Sequence, residues 1–229
     1  RIGNERFLLE PDTDPELLLE KMRYETDIVP VLEAPSPEEI FEVYARLNKE
    51  TTRIISIHMS NQICPIVANA NRASKMLLGR CDINVVDSMS LSCGAAFLVK
   101  QASLMSRTIT DLQDMVREIR RMISRVYAVF YVESIQLLSE HQLLGAAQTI
   151  LGTMLGIMPL VTIEEGRLTI MEKALNQPQA ADKLIEFEIP QLLSNIPFDG
   201  INLGKVKGKI IYKIFHKDIG VFGIDFDHT

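Results

Sequence analysis

The feature that most restricts this chain is a pair of short aliphatic runs, "RIISIH" (Arg53 to His58) and "INVV" (Ile83 to Val86), separated by the amphipathic "PIVANANRASKMLL" (Pro65 to Leu78). Short runs rich in β-branched residues are strands, and a helix between two of them forces a crossover connection. Such crossovers are almost always right-handed and lay the strands parallel in one sheet. The alternation extends to both sides. "TDPELLLEKMRY" opens a helix with Asp14 as cap and Pro15 in its first turn, and "DIVPVL" is a strand ending near Val31. "SPEEIFEVYARLNKE" starts a helix at Ser36, with Pro37 next and Glu39 completing a capping box. "LSCGAAFLVKQASLMS" is a further helix, and another is expected from Thr108 with Asp111 in the box position.

In a parallel sheet the loops leaving the carboxyl ends of the strands share one edge, where ligands bind. Three loops should meet there: "LEAPS" after Val31, "MSNQIC" after His58 and "DSMS" after Val86. The polar patch "HMSNQ" therefore faces a cleft edge. It contains no glycine, so it is not a phosphate-cradling loop of the usual kind.

From Arg125 the pattern changes. "RVYAVFYV" is a strand, "ESIQLL" a short helix, and "MPLVTIEEGRLTIM" a hairpin around Glu165-Gly166. After a helix near "AADKLIEFEIPQLL", "GKIIYKIF" and "GVFGIDF" read as paired strands joined by "HKDI". The expected architecture is an N-terminal parallel-sheet, Rossmann-like α/β domain over 1–124 and a C-terminal α+β domain with a mainly antiparallel sheet over 125–229. Within the second domain "GAAQTILGTMLGI" (Gly145 to Ile157) aligns small residues along one helix face. That face either packs closely on a neighbour or leaves a channel for something long and thin.

The 229 residues are 47% apolar but only 6% aromatic, with no Trp and ten Met, so the core is aliphatic and adaptable. A net charge of −6 argues against a general nucleic-acid binder. The basic clusters "REIRRMISR" and "KVKGK" read as solvated faces, with partner docking as the alternative. Three cysteines (Cys64, Cys81, Cys93) without CxxC spacing suit neither a disulfide frame nor a zinc site and fit a reducing cytoplasm. No apolar run approaches a bilayer span. His58, His141 and His228 lack ligand-like spacing with carboxylates, so no metal is expected. The absence of GxSxG, Walker and dinucleotide patterns implies no cofactor.

Several residues carry two readings. Cys64, before Pro65 at a helix start, is either a thiol activated by the helix terminus or a small apolar filler. Ser60, Asn61 and Gln62 either satisfy loop backbone groups or donate to a head group lying over the helix start. Asp87-Ser88 is expected to cap the following helix. His216, at a strand end, is a surface residue or a donor to a bound carboxylate.

The order and wording of these pieces resemble the DegV family of bacterial lipid-binding proteins. "PVLEAPSPEEI" is similar to the family's Thr-Ser-Gln-Pro segment, "ISIHMSNQICPIVANA" to its Ser-Ser-x-Leu-Ser-Gly-Thr stretch, and "INVVDSMSLSCGAAFLV" to its strand–Asp-Ser–helix segment. "AVFYVESIQLL", "LGTMLGIMPLVTIEEGRL" and "HKDIGVFGI" resemble its second-domain strand, its helix with a Pro-containing turn, and its closing His-x-Gly-Pro-Gly segment. The resemblance implies one fatty acid buried between two domains, its chain in an apolar tunnel and its carboxylate at the inter-domain cleft. It also implies no chemistry by the binding protein itself, and in some members presentation of the carboxylate to a separate fatty-acid kinase. It further implies a first strand upstream of Arg1 and more chain after Lys173.

At the positions that matter the sequence departs from the family. Leu32 stands at the carboxylate-binding Thr, Cys64 at the ligand-binding Ser and Pro65 at its neighbouring Gly. "HQL" (His141 to Leu143) replaces Gly-Gly-Arg, Met158 replaces a Lys, and Leu175 falls near an Arg; His216 is kept. Each charge-assisted bond lost from the head-group end is worth about 1.5–3 kcal/mol.

The resulting expectation is a non-catalytic carrier for a long-chain fatty acid or a less charged lipid. Ile66, Leu151, Met154 and Leu155 would form the apolar wall, and Ser60, Asn61, the amides after Cys64, and His216 would hold the head group. The alternatives are a repurposed regulatory or interaction protein with a filled tunnel, or a small hydrolase or transferase using Cys64 or Ser60 with His216 as base.

Overall fold

In this computed structural model the described residues are 31–131 and 158–176, with Glu5, Arg6, Leu138, Leu144, residues 178–180, Lys183 and the backbone of two late strands. The predicted helix from Asp14, the body of the strand ending near Val31, the small-residue helix from Gly145 and the "KVKGK" cluster lie outside them.

Helix α1 (Pro37–Leu47) begins where the capping box requires. The Ser36 hydroxyl accepts from the Glu39 amide at 3.1 Å, and the Glu39 carboxylate accepts from the Ser36 amide at 2.7 Å. Strand β1 (Arg53–His58) follows, then helix α2 (Ile66–Lys75) and strand β2 (Asp82–Asp87). The two strands are parallel, in register from Arg53 opposite Asp82 to His58 opposite Asp87. Side chains alternate across this sheet as strand pleating demands. Ile54 joins Ile40 and Tyr44 of α1 and Ala70 and Ala73 of α2 on one face. Ile55 and Ile57 turn to the other, against Val86, Ala102, Val116 and Ile119.

Helix α3 (Ser92–Met105) and helix α4 (Leu112–Ile123) cover that second face. The fourth helix starts later than the Thr108 expected from sequence. Asp111 is its N-cap rather than a box residue, accepting from the Asp114 amide at 2.9 Å. Helix α3 lacks a clean polar stripe because it is buried from two sides. Ala102 packs toward the parallel sheet, while Cys93 and Phe97 pack on Ala128 and Phe130 of strand β3 (Tyr127–Tyr131). The basic face of α4 is solvated, with Arg117 paired to Asp114 and Arg121 to Glu118 one turn away.

Strands β4 (Met158–Glu164) and β5 (Arg167–Ala174) form the predicted hairpin. With β6 (Tyr212–His216) and β7 (Ile219–Gly223) they build an antiparallel sheet in the order β5-β4-β3-β6-β7. The late pair is also as expected, except that His216 is the last residue of β6, opposite Ile219, so the connection is shorter than "HKDI".

Because Ile119 is fully buried between α4 and the parallel sheet, Ile119→Ala should lower unfolding free energy by about 2–5 kcal/mol. Denaturant melts of the two proteins at one pH measure it.

Candidate functional site

The loops at the carboxyl edge of the parallel sheet meet through backbone bonds. The Ser60 amide donates to the Ser90 carbonyl at 2.7 Å, and the Ser88 amide to the His58 carbonyl at 3.0 Å. Asp87 ties them further, accepting from the Asn61 amide at 3.2 Å and the Met89 amide at 2.8 Å. The expectation that Asp87-Ser88 caps the next helix is thus corrected. The N-cap of α3 is Leu91, without a side-chain cap bond, and Asp87 spends its carboxylate stapling two loops. Met89 (φ 51°) and Ser92 (φ 47°) both take the left-handed backbone between that staple and the helix, a conformation that side chains other than Gly resist. The 31–36 segment joins through Asn69, whose side-chain amide donates to the Pro35 carbonyl at 2.8 Å.

A fourth element, which the sequence did not place here, closes on these loops. The β4–β5 turn has Glu165 at φ 50° and Gly166 at φ 78°, the left-handed pair of a tight hairpin. Its Gly166 carbonyl accepts from the Ser60 hydroxyl at 2.7 Å. Ser60 is fully buried, and its oxygen also accepts from the Gln62 amide at 3.2 Å. A β-carbon at Gly166 would lie 2.4 Å from that oxygen, so only glycine fits both the φ and the contact. Around the turn, Ile63 and Leu91 of the loops pack with Val161, Ile163 and Leu168 of the hairpin.

The expected site residues fall out as follows. Ser60 spends its hydroxyl on the turn, and Asn61 accepts from the Ala68 amide at 3.1 Å, inside the first turn of α2. Both satisfy backbone groups. Cys64 is buried, and burial pushes its thiol pKa up, against a smaller downward pull from the Ile66 amide. The activated-thiol reading therefore lacks its physical basis. Cys93 is pushed further, to about 12, by burial. Ile66 is half-buried against the α1–α2 core, whereas Leu32 is 54% exposed, as is Leu175 more fully. His216 ends β6, and Leu151, Met154 and Leu155 lie outside the described residues.

A side-chain chain at the same edge was missed. The Tyr44 hydroxyl donates to the Ser56 hydroxyl at 2.7 Å, and Ser56 lies 2.7 Å from His58 Nε2. Period-two alternation puts Ser56 and His58 on one strand face, but nothing in sequence pairs them with Tyr44 on α1. Burial lowers the His58 pKa, with Asp87 pulling the other way, and burial raises that of Tyr44. An open groove of about 580 Å³ between β1 and helices α3 and α4 shares no lining residue with the edge loops. Among the described residues no cluster of His, Cys, Asp or Glu could hold a metal ion, and no helix is long and apolar enough to cross a membrane.

A parallel α/β sheet whose edge loops are capped by a hairpin from an antiparallel sheet defines an α/β protein of the DegV type. The family model described as "Uncharacterised protein, DegV family" matches residues 1–195, and the chain belongs to that family. It is 27% identical over 158 residues to a DegV domain-containing protein of Deinococcus radiodurans and 26% identical over 160 residues to Protein DegV of Bacillus subtilis. Each match takes in 69% of this chain but only 56% of the relative. Among solved structures it is similar to a fatty-acid-binding DegV family protein from Thermus thermophilus (25% identity, TM-score 0.68, 77% of this chain and 62% of that one). A DegV family protein from Eubacterium eligens loaded with heptadecanoic acid shares the fold (16% identity, TM-score 0.71, 81% and 67%).

Two outcomes follow from this geometry. Ser60→Ala strands the Gly166 carbonyl and should cost about 1–3 kcal/mol. Gly166→Ala should destabilise the wild type by more than it destabilises Ser60→Ala, because the variant has lost the clashing oxygen; a double-mutant cycle in denaturant measures the difference. The second concerns pH. The unfolded chain protonates His58 near 6.5 but the fold resists it, so this contribution to stability is complete above that value. It falls as pH drops through the lowered folded value. His58→Gln should remove that part of the acid-side slope in melts run from pH 8 to 5.

Proposed function

We propose that this chain is a non-catalytic carrier that encloses a long-chain fatty acid or similar lipid between an α/β part over 1–124 and an α+β part over 125–229. The observation that carries the reading is its membership of the DegV family together with the Thermus thermophilus neighbour, a fatty-acid-binding protein at 25% identity. The head group lies at the carboxyl edge of the parallel sheet, near His58, Asn61 and His216, and Leu151, Met154 and Leu155 line the acyl chain. Ser60 and Asn61 serve by holding the loops in shape, since their side-chain oxygens are engaged by the chain itself.

The absence of chemistry is supported by the raised pKa of Cys64 and the committed hydroxyl of Ser60, neither of which suits a nucleophile. Handing a carboxylate to a fatty-acid kinase is a weaker part of the reading, because Leu32, Met158 and Leu175 stand where the family has Thr, Lys and Arg. A specific observation favours a second reading, an interaction protein without lipid: Ile63, Leu91, Val161, Ile163 and Leu168 fill the seam around the hairpin turn with their own side chains.

Native mass spectrometry of the purified chain, followed by organic extraction, separates the two. One lipid-sized increment per chain, released as an acyl lipid, is the expected result. Bare protein from several hosts, unable to take up added lipid, overturns the carrier.

A further inference from the structure

The amino edge of the parallel sheet, opposite the loops described above, has a composition of its own. Helix α1 leads into the start of β1 and helix α2 into the start of β2, so both helices end at this edge. Two contacts join them there. The Asp82 amide donates to the Thr52 carbonyl at 2.8 Å, and Cys81 Sγ lies 3.9 Å from the Thr51 carbonyl oxygen. The joined segments, 46–53 and 72–82, hold six of the chain's 24 Lys and Arg but only two of its 30 Asp and Glu.

Most of that positive charge is unspent. Arg53 turns to the face covered by α3 and α4, where it donates to the Thr110 carbonyl at 2.6 Å. Arg46, Lys49, Arg72, Lys75 and Arg80 are exposed, and none is paired with a carboxylate among the described residues. The two acids are Glu50 and Asp82, and Asp82 already accepts from the Asn84 side chain at 3.1 Å. Glu38, Glu39 and Glu42 stand in the first two turns of α1, toward the opposite edge. On the face covered by α3 and α4, Arg107 is offset by Asp111, and Asp114 is paired with Arg117.

Among these cations stand apolar side chains in water. Leu78 is 84% exposed, the most of any large apolar side chain described, and Met76 is 49% exposed. Leu77 between them is buried in the α1–α2 core, and Gly79 at φ 80° turns the chain toward β2, so the tips are held outward. A hollow of about 470 Å³ lined by Lys75, Leu78 and Arg80 lies beside them. Apolar tips set among unpaired cations suit the boundary between head groups and acyl chains, with the cations level with the phosphates. The basic run 117–125 lacks this pattern, since Arg117 and Arg121 are paired and no large apolar side chain there is exposed. Segments 46–53 and 72–82 hold no aromatic ring on which a nucleobase could stack.

We propose that this edge docks on the surface of an anionic phospholipid membrane, with Met76 and Leu78 inserted and the five unpaired cations against the phosphates. The six-residue strands β1 and β2 hold it about 20 Å from the carboxyl-edge loops. The contact is therefore a tether that leaves those loops clear of the bilayer. It does not depend on the lipid-carrier reading, and either can fail without the other.

The test uses the full chain and sedimented vesicles of phosphatidylcholine, with or without about one-third phosphatidylglycerol. The chain should sediment with the anionic vesicles, stay in solution with the neutral ones, and be released as salt rises from about 0.1 to about 0.5 M. Lys75→Ala combined with Arg80→Ala should weaken the anionic binding by about tenfold or more. Arg120→Ala with Arg121→Ala, on α4, should leave it unchanged. Because the chain has no Trp, Leu78→Trp is a single reporter whose emission should shift to the blue on anionic vesicles only. Equal binding to both vesicles, no binding to either, or bound Leu78→Trp with unshifted emission overturns the proposal. So does retention on immobilised polyglutamate without vesicle binding, which would make the edge a docking surface for acidic protein. The wild-type sedimentation decides the matter even where a variant does not fold.

Discussion

The hydroxyl of Ser60 is the polar link that fixes how closely the antiparallel hairpin approaches the loops of the parallel sheet. It is fully buried, donates its one proton to the Gly166 carbonyl and accepts from the Gln62 amide. Leaving either partner unmet in a buried seam would cost more than the net value of the bond formed. The hairpin turn must therefore approach the loop to within a distance that excludes a β-carbon, and the loop must present Ser60 inward. The Asp87 staple and the left-handed Met89 and Ser92 shape the second loop so that Ser90 can receive the Ser60 amide.

This arrangement divides the polar residues of the edge into two kinds. Ser60, Asn61, Asp87 and Ser88 turn inward and satisfy backbone groups, as short polar side chains in loops commonly do. His58 Nε2, by contrast, lies 2.7 Å from the Ser56 hydroxyl of its own strand. The described loop segments 31–36, 59–65 and 87–91 carry no Lys or Arg, and the Asp87 carboxylate among them is taken up by backbone amides. That is a different electrostatic character from the hydroxyl- and arginine-bearing cleft that the family resemblance implies.

Much of the architecture was legible because it is written in local patterns. The capping box at Ser36 and Glu39 sets the start of α1 through two short-range bonds, and "RIISIH" is a strand wherever it is buried on both faces. The hairpin around Glu165-Gly166 is likewise a property of a few neighbouring residues. Where two local signals competed, the reading slipped. Thr108 and Asp111 are both acceptable caps; the later start carries the Asp111 cap bond and sets Val116 and Ile119 against the sheet.

By itself the sequence determined the order of the described strands and helices, the parallel character of the first sheet, the aliphatic core and the family. All of these depend on residues close in the chain or on composition. Tertiary structure alone decided which polar side chains are spent and which remain. Ser60 meets a carbonyl 106 residues away, and Tyr44 reaches Ser56 from another element, so their partners depend on how elements dock and not on any spacing. A hydrogen bond commits a side chain only when the fold has brought donor and acceptor within about 3 Å and removed the water that would otherwise compete.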